Sequence, residues 1–482
     1  MQLQAKVAPF FEGFVLLSGT GGDIQAIVKQ FPQSLTSTPN RVAKLNSMPK
    51  GWTGNIQLPF QTTTDLQVHL YETNLPVKDM IEAIYQVKDA KSPVFADPNY
   101  ALTGDLWSVA GGSWSPESPI PGTFGDANDA FWKQWAFGEQ GIRLFTDALA
   151  TRRTVEPRGQ GIRVGIFDTS PFTGISVGPD EAPTEIPIPW MLQEALSLYV
   201  SHPYDTPVIP PVNYNINCSN HGLFAAGLVH AVAPESEIHL IRALNKNAMG
   251  DLFTLIQALH WFIDRWWDTL DNTIINLSLG VHSADETDLA PGTKDQILAL
   301  IRSMGTSYVS PSTLASADEI PIMALETILG IAQGRGAVIA AAAGNSSYDV
   351  VSPNPAQIPA SYPDVIGVAA SNMARQQSCY SNDGDVAAPG GDGGAIGALP
   401  CAPNNQACAS LVGDCPYGLI SLVDEPDSPS GYAYWVGTSF ATPLVSGLAA
   451  LLRENGTTPP NVRGAVMAGV KDGIIDLPTA LP

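Results

Sequence analysis

From residue 164 onward, runs rich in β-branched and small apolar residues alternate with longer helical stretches. Val164 to Phe167, Ile238 to Ala243, Ile274 to Leu279 and Val338 to Ala343 read as strands. The segment from His221, Leu252 to Trp267 and Ile322 to Gln333 read as helices. Alternation of this kind predicts an α/β fold, a mostly parallel sheet flanked by helices on both faces. In such a sheet, groups at the carboxyl ends of the strands line the ligand crevice.

Four stretches carry groups that fit one reaction. The run Val164-Gly165-Ile166-Phe167 ends abruptly in Asp168-Thr169-Ser170, which sets a carboxylate at a strand end. His221, in Asn220-His221-Gly222, heads a run of small residues suited to a helix packed closely on the sheet, a setting the other six histidines lack. Val338 to Ala343 leads into Gly344-Asn345, and the asparagine amide can donate to a developing oxyanion. Gly437-Thr438-Ser439-Phe440-Ala441-Thr442-Pro443 precedes the small, apolar run Leu444 to Leu452, which puts Ser439 at the start of a buried helix. There, backbone N–H groups and the helix dipole favour negative charge. A hydroxyl is a poor nucleophile until a base takes its proton, and the usual base is a histidine oriented by a carboxylate. Taken singly, Ser439 reads equally well as a helix cap, and Asp168 and Asn345 as turn formers.

Taken together, these stretches resemble the blocks of the subtilisin-like serine proteases, the subtilases. Asp-Thr-Ser stands for the family's Asp-Thr-Gly, His-Gly-Leu for His-Gly-Thr, and Phe440 for the methionine after the nucleophile, in the family's order Asp, His, Ser. The resemblance implies that Asp168 orients His221, that His221 serves as base and then acid, and that Ser439 attacks the scissile carbonyl. It implies that Asn345 donates to the oxyanion. Asn276-Leu277-Ser278-Leu279-Gly280 is similar to the family's strand that pairs with extended substrate. On that basis Ser278, Leu279, Gly280, Ala341, Ala342 and Ala343 are expected to line the primary pocket, with Gln357 near its floor. The implied chemistry needs no cofactor and no metal. Between Val229 and Ala231-Val232-Ala233-Pro234 there is no room for the calcium loop of some members, and a structural calcium ion elsewhere has no site that the sequence marks.

A chain of 482 residues exceeds the usual single domain, so two are expected. Residues 1–100 differ in texture, with strand-like stretches at 14–17, 66–71 and 94–96 and helical ones at 23–31 and 77–90. This α+β pattern resembles the subtilase propeptide. Residues 101–127 read as a linker holding a processing site, and residues 128–482 as the peptidase domain. By resemblance the first domain is a partner of the second, assisting its folding and then blocking the cleft. Long intervals after Asp168, after Gly280 and between Gly390 and Gly431 are expected to frame that cleft.

With 24 Lys and Arg against 46 Asp and Glu, a nucleic-acid partner is not expected, and no apolar run is long enough to span a membrane. Phe10 to Leu17 is interrupted by Glu12 and Gly13 and does not read as a leader, so the expectation is a cytoplasmic protein. There the five cysteines would be thiols. A disulfide among Cys401, Cys408 and Cys415 is expected only after export.

The expected function is a serine endopeptidase that cleaves protein or peptide substrates through an acyl-enzyme and is made as a self-processing zymogen. The alternative is a catalytically silent subtilase-like binding protein whose N-terminal domain never leaves the cleft. A non-peptide esterase on another α/β fold lacks its Gly-x-Ser-x-Gly elbow, because Ala441 stands at the second glycine.

Overall fold

The computed structural model describes residues 6–45, 66–88, 94–103, 118–120, 124–144, 157–172, 175, 181–188, 196–202, 218–246, 248–281, 284–285, 306–309, 322–347, 352–391, 417–424 and 430–481. The linker interior at 104–117 and Cys401, Cys408 and Cys415 lie outside them, as does most of the long interval after Gly280.

The N-terminal unit is an antiparallel sheet of β1 (Lys6–Thr20), β2 (Arg41–Lys44), β3 (Leu66–Glu72) and β4 (Phe95–Thr103), in the order β2-β3-β1-β4. Helices α1 (Gly21–Val28) and α2 (Val77–Val87) pack on it. Thr20 caps α1 by accepting from the Asp23 N–H, and α2 buries Val77, Met80, Ile81 and Ile84, an i, i+3, i+4, i+7 stripe. Two strands outrun their apolar signals. The first half of β1 is held by pairing to Ala284–Asp285 and Thr306–Val309, and β4 continues through Thr103 into the stretch read as linker.

After β5 (Ser118–Pro119) and α3 (Phe124–Lys133) come β6 (Arg163–Asp168), β7 (Thr184–Ile188), β8 (Leu196–Ser201), α4 (His221–Val232) and β9 (Glu237–Arg242). Next are β10 (Met249–Asp251), α5 (Leu252–Arg265), β11 (Thr273–Leu277), β12 (Gly280–Val281), β13 (Ala284–Asp285) and β14 (Thr306–Val309). Then follow α6 (Met323–Gly334), β15 (Val338–Ala342), β16 (Ile366–Ser371), β17 (Val386–Pro389), β18 (Leu419–Leu422), β19 (Tyr432–Trp435) and α7 (Thr438–Glu454). The chain closes with α8 (Pro459–Ala468), β20 (Val470–Lys471), β21 (Ile474–Ile475) and α9 (Leu477–Ala480).

The large sheet runs β20-β21-β17-β16-β15-β11-β6-β9-β8-β7, parallel from β21 to β8, with antiparallel strands only at its two edges. Strand periodicity shows that helices cover both faces. A Cβ on Gly165 would meet the Phe262 ring of α5, and Phe167 packs edge-on against the same ring. Asp168, one residue further along β6, faces Gly222 of α4 instead. Helices α4 and α7 pack together, as do α5 and α6. The apolar run from Ile274 continues to Leu279, yet β11 stops at Leu277 and Gly280–Val281 turns away to pair with β4.

Candidate active site

The loop after β6 and the start of α4 are built around a close approach. A Cβ on Gly222 would sit 2.3 Å from the Thr169 carbonyl oxygen and 2.9 Å from the Asp168 Cβ, so only glycine lets the helix begin here. The Thr169 hydroxyl contacts the Cys218 and Ser219 carbonyls, each at 2.9 Å, and accepts from the Gly222 N–H at 3.2 Å. This ties strand end to helix start. His221 Nδ1 then lies 2.8 Å and 2.9 Å from the two Asp168 oxygens, with both residues buried. A carboxylate accepts, so Nδ1 carries the proton and Nε2 is left as the basic nitrogen. Asp168 also accepts from the Thr169 N–H at 2.6 Å.

Ser439 is the second residue of α7 and fully buried. Its hydroxyl donates to the Ser278 carbonyl at 3.1 Å. Phe440, next in the chain, has its ring centroid 4.8 Å from that of His221, so the start of α7 abuts the imidazole. Asn345 Oδ1 accepts from both the Thr438 N–H at 3.0 Å and the Thr438 hydroxyl at 2.9 Å. With its oxygen so used, the asparagine presents Nδ2 on the Gly437 side, just ahead of the serine.

The expected pocket residues separate into two groups. Gly280, Gly344 and Gln357 come together: a Cβ on Gly280 would meet Gln357 Oε1 at 2.7 Å, and one on Gly344, at φ +103°, would meet its Nε2 at 2.4 Å. The Gln357 N–H also donates to the Ala343 carbonyl at 2.9 Å. Ser278 touches Ser439, and Leu279 is buried between Ser278 and Gly280. Ala341 and Ala342 lie within β15, register partners of Leu277, Gly367 and Val368 inside the sheet.

An aromatic group around the histidine escaped the sequence reading. Trp435 meets the imidazole at 85° with centroids 5.2 Å apart, and Phe224, Trp435 and Phe440 pack on one another at 4.5–5.6 Å. The one visible sign was phenylalanine at 440 where the family resemblance led us to expect methionine.

The N-terminal unit docks beside this site through alternate residues of β4. The Asp97 carboxylate accepts from the Ala324 N–H at 3.2 Å at the start of α6, and the Asn99 side-chain oxygen accepts from the Phe253 N–H at 3.1 Å at the start of α5. Carboxylate and amide oxygens satisfy helix-start donors that have no partner within the helix. Beyond them, Leu102 pairs with Gly250 on one side and Val281 on the other, and Thr103 with Met249 and Gly280. Burial pushes the Asp97 carboxyl up to about 7, against the opposing pull of the Ala324 and Met323 N–H groups. His260 of α5 is likewise buried where β2 and β4 cover that helix, and burial pushes it down to about 4.

Comparison with known proteins names the class that this fold and site define. The family model for the subtilase family matches residues 204–476, more than half of the 482, and the chain belongs to that family. The thermophilic serine proteinase of Bacillus sp. (strain AK1) is 27% identical over 390 residues, 77% of this chain and 66% of its own length. The minor extracellular protease Epr of Bacillus subtilis (strain 168) is 24% identical over 271 residues, 54% of this chain and 30% of its own. Among solved structures, fervidolysin from Fervidobacterium pennivorans, a keratinolytic enzyme related to subtilisin, shares the fold with a TM-score of 0.51 at 17% identity, over 98% of this chain and 61% of its own. The chain thus spans less than two thirds of the length of each of these three proteins.

The cytoplasmic expectation does not stand. The Bacillus subtilis relative is an extracellular protease by name, and Cys379 is disulfide-bonded, a state that the reducing cytosol does not sustain. Among the described residues no group of three or more His, Cys, Asp or Glu side chains could hold a metal ion, and no helix is long and apolar enough to cross a membrane.

Proposed function

We propose that the chain is an exported serine endopeptidase that hydrolyses peptide bonds of protein or peptide substrates through an acyl-enzyme. Asp168, His221 and Ser439 are its reacting groups. The observation that carries this reading is the buried Asp168–His221 pair beside the helix whose second residue is Ser439. For this the Ser439 hydroxyl must leave the Ser278 carbonyl, to which it donates at 3.1 Å, and turn to His221 Nε2. As Oγ bonds to the substrate carbonyl carbon, Nε2 takes the hydroxyl proton and Asp168 stabilises the imidazolium. The oxyanion is held by Asn345 Nδ2 and the N–H groups at the start of α7. His221 then gives its proton to the leaving amine, the C–N bond breaks, and water releases the acyl group by the same steps in reverse.

Residues 1–100 act as a propeptide, in this reading, with the linker that follows holding the processing site. What supports this is β4, whose Ala101–Thr103 segment runs antiparallel between β10 and β12, as an extended substrate would. The same insertion suits a silent binding protein with a permanently filled cleft.

Intact mass before and after a fluorophosphonate probe decides between them. One adduct on wild type, none on Ser439→Ala, and loss of roughly the first hundred residues are expected. A wild type that is neither labelled nor shortened moves the binding protein to the front. Asn345→Ala is expected to lower kcat by the loss known for the corresponding donor of subtilisin, about 3 kcal/mol, with KM little changed. Full kcat in that variant would remove Asn345 from the oxyanion site.

A further inference from the structure

Asn276 lies one residue from the end of β11, fully buried, with no reacting role in the chemistry above. Its Oδ1 accepts from the Ser446 hydroxyl at 2.9 Å, and its Nδ2 donates to Ser278 Oγ at 2.9 Å. Ser278 Oγ donates onward to the Ser439 carbonyl at 2.7 Å, while the Ser439 hydroxyl donates back to the Ser278 carbonyl. All four residues are fully buried.

The direction of this chain of bonds is set by proton count. A serine hydroxyl has one proton, and that of Ser278 is spent on the Ser439 carbonyl, so its oxygen can only accept from residue 276. The amide must therefore turn its NH₂ toward Ser278 and its oxygen toward Ser446. Only a side chain with donor and acceptor side by side completes the circuit. Ser439 and Ser446 lie two turns apart on one face of α7, so the circuit grips the helix at its reactive end and again further along.

We infer that Asn276 is a positioning residue, holding Ser439 in register with His221 and the oxyanion donors through Ser278 and Ser446. The inference rests on the protease reading given above. An acyl transfer tolerates little misplacement of its nucleophile, and a shift of about 1 Å costs about a hundredfold in rate. Loss of Asn276 leaves the Ser446 hydroxyl and Ser278 oxygen without their partner in a buried site, and the start of α7 relaxes.

The test compares full-length wild type, Asn276→Leu, Ser446→Ala and Ser439→Ala. Active sites are counted by fluorophosphonate titration, so misfolded molecules drop out. Turnover is followed on fluorescein-labelled casein. For Asn276→Leu, kcat per titrated site is expected to fall about ten- to a hundredfold with KM within about twofold, the labelling rate falling in step. Ser446→Ala, which removes one hydroxyl, is expected to give a loss of about threefold or more in the same direction. A merely structural role would lower the melting temperature and the titratable fraction but leave kcat per site unchanged, and that result overturns the inference. Should Asn276→Leu fail to fold, Ser446→Ala decides by the same readout. A wild type as inert as Ser439→Ala overturns both the protease reading and this one. A labelled wild type matched per site by Asn276→Leu and Ser446→Ala overturns the positioning role alone.

Discussion

Replacing Ser439 by alanine is expected to lower kcat about a millionfold, and His221→Ala to do the same, the scale that subtilisin sets for these groups. The double variant should be no slower than either single one. In the proposed mechanism the two groups share one proton transfer, and when either is missing the other has nothing to do. Burst kinetics on an activated ester, with each variant treated to remove traces of wild type, checks both claims. Losses that multiplied in the double variant would mean that the two side chains act in separate steps. The Asp168–His221 contacts at 2.8 Å and 2.9 Å would then describe a structural pair rather than a base held ready.

The docking of the N-terminal unit is expected to carry two opposed pH dependences that single substitutions separate. Docked Asp97 keeps its proton up to about 7, whereas released Asp97 gives it up near 3.8, so docking takes up a proton and Asp97's contribution fades as pH rises from about 4 to 7. That gap is worth about 4 kcal/mol. His260 works the other way. Held near 4 when buried and at 6.5 when released, it favours docking above 6.5, and its contribution of about 3 kcal/mol is lost as pH falls toward 4. The groups facing Asp97 are the Tyr85 and Tyr100 hydroxyls and the Met323 and Ala324 N–H groups, none of which titrates in this window. In the Ser439→Ala background, where self-cleavage cannot intervene, the urea midpoint for loss of amide protection in β4 reports docking. Asp97→Asn should loosen on acidification, His260→Leu should loosen on alkalinisation, and wild type should change least between 4 and 6.5. An Asp97→Asn profile that overlies wild type would show that this carboxylate does not sense docking.

What was legible in the chain was whatever is local. The α/β alternation survived because each buried strand carries its own apolar run, and Asp168, His221, Asn345 and Ser439 could be proposed as a site because each sits in a short block with its own chemical reason. What could not be read depends on distant partners. Asn276 meets Ser446 across 170 residues, and Ser278 meets Ser439 across 161, so nothing near residue 276 announces a circuit. The aromatic group on His221 is assembled from α4, β19 and α7 in the same way. Ala101–Thr103 has no strand pattern of its own and is extended because β10 and β12 supply its ladder. The stop of β11 at Leu277 is the converse, an apolar run cut short by a competing sheet.

If the N-terminal unit leaves as the proposed propeptide, the insertion of β4 bears on what the released enzyme would attack. Met249–Asp251 and Gly280–Val281 are ribbons of three and two residues, and β4 is the strand that both of them flank. Once it leaves, their N–H and C=O groups face a slot one chain wide. Main-chain groups are the same in every protein, so such a slot recognises shape before side chains. A helix, whose amides are already engaged with one another, cannot fill it. An unwound loop can. The first discrimination made by this cleft would accordingly be between folded and unfolded target segments, and the stability of a target would govern its lifetime as much as its sequence.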